Sequence, residues 1–508
     1  EGAASIACLL SDREELLLAT NNGSLYSCID ESRSIFVYAS ERYILKTFLE
    51  KSLMKNYLNE SQIEHIKPGE GSIVNLTTLK ADRFYLTEKK NTPRKRGARG
   101  ARTKKVVTDI LSESELSRAG KPVPNLNARS LKDIAKAFPQ DDYPYKGLIR
   151  CSKCVLPETI PGIHFNEKGI CNFCRAYKKR EHYGPEALEE TISKYRSKTG
   201  KPDCIVGMSG GRDSIYSLHY VKNVLKMNPI AYTYDWGMVT DLARRNISRI
   251  CGKLGVENIL VSADIPKKRA NIRKNVSAWL KKPDLGIIPL FMAGDKQYFY
   301  YATEVKKQND LELVILGENM FEKSEFKAGF SGVTTGDLDE DRIYTLSHGS
   351  KFQMVSYYMK SFLNNPGYLN SSLLDTAFAF ACYYITKRDY INLFRYVPWN
   401  EEEVNATIIG EYNWELSPDT TTTWRIGDGT ASFYNYIYFT VAGFTENDTF
   451  RSNQIREGII TRAKGMKFIK DQNRPRFMSI KWYCDTIGVD FEAALKIINE
   501  IPKLYVPK

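Results

Sequence analysis

Apolar residues along the chain fall into two periods. In residues 1–88 short runs alternate with turns. Ser5-Ile6-Ala7-Cys8-Leu9-Leu10 and Glu15-Leu16-Leu17-Leu18-Ala19 precede the turn Asn21-Asn22-Gly23, and residues 34–39 lead into Ser40-Glu41, where a helix is expected to start. From residue 184 the runs become continuous: residues 204–208 read as a buried parallel strand, and 230–235, 258–262 and 311–317 as a second, third and fourth strand. Helical stretches lie between them, and Ile215, Leu218, Val221 and Leu225 are spaced for one helical face. Strands alternating with helices predict an α/β fold with a doubly wound parallel sheet, its strand C-termini along one ligand-binding edge. Residues 401–508 are mostly helical in pattern, with one polar, loop-rich insertion, and no internal repeat is present.

At 508 residues the chain exceeds one core. The expected organisation is a strand-rich unit at 1–88, a basic linker and connector at 89–145, a cysteine-bearing module at 146–183, the α/β domain at 184–400 and a helical region at 401–508. The net charge of +13 invites a nucleic-acid reading. Nine Lys and Arg between Lys89 and Lys105, with no acid among them, account for most of it and leave +4 for the rest. With Pro93, Gly97 and Gly100 that segment reads as a solvated tether, and a phosphate or acidic partner is the alternative. No apolar run is long enough to span a bilayer, and the first residues lack a basic secretory n-region. Ten cysteines in a chain of this length do not make a disulfide scaffold, so a reducing cytoplasm is expected. Cys8 and Cys28 sit in expected strands and Cys204, Cys251, Cys382 and Cys484 in expected strand or helices; all six read as core.

The most informative stretch is Ser209-Gly210-Gly211-Arg212-Asp213-Ser214, between the 204–208 strand and the helical pattern. Strand, Gly-rich turn and helix start make an anion site: free backbone N–H groups point outward, and glycines admit a phosphate without a Cβ in the way. Asp213 and Ser214 suit the first helical turn, and the plainer reading is an ordinary turn with Asp213 as a cap. No GK[ST] follows the glycines, so this is not a Walker A loop.

Cys151-x2-Cys154, then sixteen residues, then Cys171-x2-Cys174 is metal spacing. Four thiolates close a tetrahedral shell and leave no open position, so the role is structural. The block between the pairs has few hydrophobes of its own, so the metal supplies folding energy. Zinc is the default; an iron–sulfur cluster or disulfides are the alternatives.

The hexamer resembles the SGGxDS signature of the PP-loop ATP pyrophosphatases, which include asparagine synthetases, GMP synthetases and tRNA-thiolating enzymes. Together with the cysteines it resembles one family of them, the N-acetyl sugar amidotransferases of bacterial surface-polysaccharide pathways. The matching segments are CSKCVLPETIPGIHFNEKGICNFC, VGMSGGRDSIYSLHY, YTYDWGMVTDLARRNI, PLFMAGDK, LGENM and TTWRIGDGTASFYNYIYFTVAGFTENDTFRSNQIREG, in one order across most of 146–508. Residues 1–88 resemble the second half of a class II (Ntn-type) glutaminase domain through NNGSLY, VYASE and the I-K-P-G-E run. Such glutaminases use an N-terminal Cys as nucleophile, whereas this chain begins at Glu1. A trimmed or split domain is therefore expected, and no glutaminase residue is assigned.

The resemblance implies conversion of a sugar acetamido group to an acetamidino group. ATP and Mg2+ would serve as cofactors alongside Zn2+, and ammonia would come from an attached or partner glutaminase. It also implies roles. The loop Ser209, Gly210, Gly211, Arg212, Asp213 and Ser214 holds the phosphates that leave as pyrophosphate, with Asp213 on Mg2+. Tyr234 and Asp235 contact adenosine; Gly317, Glu318 and Asn319 meet ribose or metal; Lys296 neutralises the α-phosphate. For Asp235 a strand-end cap, and for Lys296 a solvated surface lysine, are the alternatives. Arg425, Asp428, Arg451, Asn453, Gln454 and Arg456, among Trp424, Phe433, Tyr434 and Tyr436, form a polar set suited to a sugar carrying phosphates, with an ion-pair network as the alternative. The expected partner is a nucleotide-linked N-acetyl sugar, with no membrane span, no nucleic acid and room for a homo-oligomer. A tRNA-thiolating enzyme is the competing function, but no free CxxC remains for it.

Overall fold

The structure is a computed structural model that describes residues 4–86, 147–322, 324, 326–333, 347–385 and 389–505. The basic run 89–105 and the connector up to 145 lie outside the described residues.

The first unit holds two antiparallel sheets. β1 (Ser5–Leu10), β2 (Glu15–Thr20), β6 (Glu70–Asn75) and β7 (Ala81–Tyr85) form one in the order β1-β2-β6-β7. β4 (Phe36–Ala39), β3 (Tyr26–Ile29) and β5 (Ile63–His65) form the other, backed by the helix Arg42–Lys51, which starts one residue after the expected Ser40-Glu41. Cys8, expected in the core, is exposed, because β1 is an edge strand whose two faces meet little of the small core. Cys28 is buried as expected.

The second unit is built on five parallel strands: β8 (Cys204–Met208), β9 (Pro229–Asp235), β10 (Asn258–Ser262), β11 (Val314–Leu316) and β12 (Ile391–Asn392), in the order β10-β9-β8-β11-β12. Alternate residues feed separate cores. Ile205, Ile230, Tyr232, Val314 and Leu316 pack on one face, and Cys204, Val206, Met208, Ala231 and Ile315 on the other. Burial on both faces is why the β8, β9 and β11 runs are continuously apolar rather than alternating, whereas the edge strand β10 leaves Leu260 exposed. β11 is shorter than the expected 311–317, and the two-residue β12 carries too little pattern to be seen in sequence.

The chain steps outward from β8 to β9 and β10, then returns across the sheet to β11. That reversal opens a crevice beyond the carboxyl ends of β8 and β11. The helix Arg212–His219 leaves β8, and the helix Asp241–Leu254, capped by Thr240, leaves β9. Between β11 and β12 stands a pair of helices, His348–Asn364 and Ser372–Tyr384. The C-terminal region is helical: Ala431–Ala442, Phe477–Ile487 and Phe491–Glu500 close the first core, while Phe450 of the helix Glu446–Glu457 enters the second. No helix among the described residues is long and apolar enough to cross a membrane. The first unit docks on the β10 edge, where Asn258 N–H donates to Asn22 O at 3.1 Å and Ser24 Oγ donates to Asn258 O at 2.8 Å.

Candidate functional site

A cavity of about 300 Å3 opens beyond the carboxyl ends of β8, β9 and β11. Its floor is the 209–214 loop. Gly210 has φ +76°, and a Cβ there would lie 2.7 Å from the Ala243 carbonyl oxygen, so only glycine fits. Ser209 N–H donates to Ser214 Oγ at 3.2 Å, and Gly211 N–H to Ser209 Oγ at 3.4 Å, which folds the turn on itself. Gly211 caps the helix Arg212–His219 without a side-chain bond, leaving the first-turn N–H groups to the cavity side. Opposite, Gly317 ends β11 so close to that helix that a Cβ would lie 2.0 Å from Ser217 Oγ.

Three tryptophans from beyond β12 brace the cavity, two of them on this floor and one on the facing Glu322. Trp399 Nε1 donates to Asp213 Oδ1 at 2.6 Å, Trp414 Nε1 to Gly210 O at 3.2 Å, and Trp424 Nε1 to Glu322. The 420–430 loop folds back over the strand ends: Thr240 N–H donates to Gly427 O at 3.2 Å and Gly429 N–H to Met238 O at 3.0 Å. Arg425 in this loop has φ +52°, a conformation costly for a side chain with a Cβ, and lies 3.4 Å from Glu322 and 3.6 Å from Glu446.

Of the sequence-chosen residues, Ser209, Gly211, Arg212, Asp213, Ser214, Tyr234, Lys296, Gly317, Glu318, Asn319, Arg425 and Asp428 line this one cavity. Asp235 does not: its carboxylate accepts from Gly237 N–H at 2.9 Å and pairs with Arg244 at 2.7 Å, the strand-end alternative. Lys296 stands over the Tyr383 ring, 5.0 Å from its centroid, paired with Asp295 at 3.2 Å. Although Arg212 borders the cavity, its guanidinium is buried, sandwiched between Trp399 and Phe450 and paired with Glu401 at 2.7 Å. The C-terminal polar set divides. Arg451, Gln454 and Glu401 form a buried network, and Asn453 donates to Phe321 O at 2.9 Å, so these residues sit behind the cavity wall as an ion-pair network rather than on its surface. Arg456 reaches the cysteines.

Asp213 is the electrostatic centre. Burial pushes its carboxyl up to about 7, with the facing Glu322 carboxylate adding to the rise against the pull of Arg212. Glu322 escaped the sequence reading because it lies on a single 3-10 turn, Met320–Glu322, with no motif of its own. Trp236, Asp295, Tyr298, Phe299 and Thr423 also line the cavity unforeseen. Trp236, directly after Tyr234-Asp235, was the readable one: an aromatic at a strand's carboxyl end beside a Gly.

The four cysteines converge as their spacing requires. The Sγ atoms of Cys151, Cys154, Cys171 and Cys174 all lie within 4.8 Å of one another and are buried, with Cys151–Cys174 and Cys154–Cys171 at 3.9 Å. A tetrahedral zinc with Zn–S bonds of about 2.3 Å sets its sulfurs about 3.8 Å apart. This group could hold such a metal ion. Cys171 N–H donates to Cys151 Sγ at 3.3 Å and Arg456 Nε to Cys174 Sγ at 3.4 Å, neutralising thiolate charge as an outer shell does.

No family model matches this chain. It is similar to an uncharacterized protein of Methanocaldococcus jannaschii, 28% identical over 123 residues, which covers 23% of this chain and 43% of that relative. The matched stretch is thus less than half the relative's length.

Proposed function

We propose that this chain is an ATP-dependent, AMP-forming amidotransferase that converts the acetamido group of an N-acetylated sugar to an acetamidino group. The observation that carries this reading is the meeting of the glycine-built floor with Lys296, Arg425 and the carboxylates of Asp213, Glu318 and Glu322 in one cavity. The floor's N–H groups and glycines suit the β- and γ-phosphates. The cavity carries more carboxylates than cations, since Asp295 and Asp428 line it too. A bare triphosphate would be repelled, so Mg2+ fits the donor set, held by Asp213 and Glu322 and neutralising the phosphates when bound.

In the reaction, the amide oxygen attacks the α-phosphorus and the bond to the β-phosphate oxygen breaks. Pyrophosphate leaves and the amide becomes an O-adenylyl imidate. Ammonia adds to the imidate carbon, and AMP departs with the former amide oxygen as the C–N bond remains. The chain's part is positioning and charge. Lys296 neutralises the α-phosphate, and Arg425, its guanidinium set between Glu322 and Glu446, presents that guanidinium to the sugar or its phosphates. Tyr234 and Trp236 offer aromatic faces at the β9 end. Ammonia would come from an attached or partner glutaminase, a source the glutaminase-like 1–88 unit supports. The reading is tested by exchange of labelled pyrophosphate into ATP without ammonia. It requires exchange that depends on an N-acetyl sugar, and exchange without any sugar, or none with a broad panel, opposes it.

A further inference from the structure

The helix pair between β11 and β12 presents an apolar outer face that no other described residues cover. Phe352, Val355, Met359 and Leu363 follow one another at helical spacing on His348–Asn364. Their inner counterparts Met354, Tyr357 and Tyr358 pack on the core instead. On Ser372–Tyr384 the outward positions are Leu374 and Phe378, with Ile385 at the end; Leu374 is 83% exposed, Phe352 77% and Ile385 73%. The two stripes form one surface. Lys351 Nζ donates to Tyr384 O at 3.2 Å, which brings Phe352 and Ile385 to the same end, and the turn through Leu369 joins Leu363 to Leu374 at the other.

We propose that this face is the two-fold interface of a homodimer, in which the helix pair of one chain packs on that of a second copy. Three observations choose that occupant. The exposed parts of these side chains amount to roughly 800 Å2, at ~150–200 Å2 per fully exposed large residue, well above the patch of an ordinary monomer and equal to one side of a standard interface. Lys360 is the one exposed charged side chain between 348 and 385. A charged partner or an anionic lipid surface therefore has almost nothing to read, whereas homodimer cores are depleted of charge. Two helices per copy close into a four-helix packing under two-fold symmetry, with like patches meeting. The pair also forms part of the cavity wall. Tyr383 lines the cavity, and Asp375 accepts from Gln297 Nε2 at 2.7 Å, whose Oε1 accepts from Tyr234 OH at 2.9 Å.

The test is independent of the chemical reading. The whole chain is examined by sedimentation velocity and light scattering across micromolar concentrations, with Phe352→Asp and Leu374→Lys variants and their circular dichroism alongside. The expected result is twice the 58.0 kDa chain mass for the unmodified protein and the single-chain mass for either variant, with helical signal unchanged. Loss of helical signal in one variant transfers the decision to the other, and to a Met359→Lys variant. A monomeric unmodified chain, dimers that survive every substitution, or a monomer that binds neutral phosphatidylcholine vesicles through this face would each overturn the proposal.

Discussion

The Arg456 guanidinium joins the cysteine centre to the wall of the cavity: its Nε donates to Cys174 Sγ at 3.4 Å and its Nη1 to Asn453 Oδ1 at 2.8 Å. Asn453 in turn donates to the carbonyl of Phe321, the residue before Glu322. The helix Glu446–Glu457 is gripped by the cysteine module at other points as well, through Arg150–Asp448 and through Val155 N–H to Ser452 Oγ at 3.2 Å. Metal removal therefore acts at a distance. A chelator is expected to lower the melting temperature by roughly 5 °C, the shift for about 4 kcal/mol in a unit of this size. Nucleotide affinity is expected to fall with it. Elemental analysis should find one ion per chain, and none after Cys154→Ser.

Asp213 gives a pH dependence. Its carboxyl is held at about 7 by burial, above the ordinary range near 4, so the native state keeps a proton that the unfolded chain has released. Stability without ligand should fall as pH rises from about 4 to about 7, by roughly 2–4 kcal/mol, and then level off. In Asp213→Asn the slope should become shallower, the remainder coming from Glu257, whose carboxyl burial holds at about 8, as thermal melts across the window would show. Addition of Mg2+ with nucleotide below pH 7 should release protons in the unmodified protein and fewer in the variant.

Close approach makes the two glycines of the floor sensitive in different ways. Gly210→Ala forces a Cβ onto the Ala243 backbone in a left-handed conformation and should cost about 1–3 kcal/mol of stability. Gly317→Ala drives β11 away from Ser217 and should weaken ATP binding at least about tenfold while sparing the cysteine centre. Calorimetric titration with a non-hydrolysable ATP analogue, beside metal content, separates the two effects.

Glu401 sits between two buried guanidiniums. Its carboxylate pairs with Arg212 and Arg451, and despite burial their charges hold it at about 2. Its stabilisation is complete above the ordinary glutamate range and is lost as pH falls from about 4 toward 2. Glu401→Gln removes the paired carboxylate of Arg451 and leaves Arg212 with Asp213 alone, 3.6 Å away, and should cost about 3–5 kcal/mol by denaturant titration. Sugar selectivity should stay unchanged, because this network stands behind the wall.

Four of the five strands of the parallel sheet and the cysteine quartet were legible because each carries a local signal: apolar runs bounded by turns, and ligand spacing fixed by one ion. Cys8 failed because residue type says nothing about whether a strand becomes an edge. The division within the C-terminal polar set was equally hidden. Arg425 and Arg451 look alike in sequence, and only the fold turns one toward the cavity and the other toward Glu401. Glu322, Trp399 and Trp414 reach the floor from elements whose pairing depends on the whole sheet being formed, so no window of sequence contains their relation to Asp213.

The chemistry proposed for the cavity is the adenylation of an amide oxygen and its replacement by nitrogen. The most direct measurement incubates the chain with ATP, Mg2+, ammonium and a panel of nucleotide-linked N-acetyl sugars, following AMP and the mass of the sugar. AMP formation should depend on one class of sugar and give a product one mass unit lighter, oxygen exchanged for NH. AMP formation that ignores every sugar but rises with bulk tRNA would contradict it.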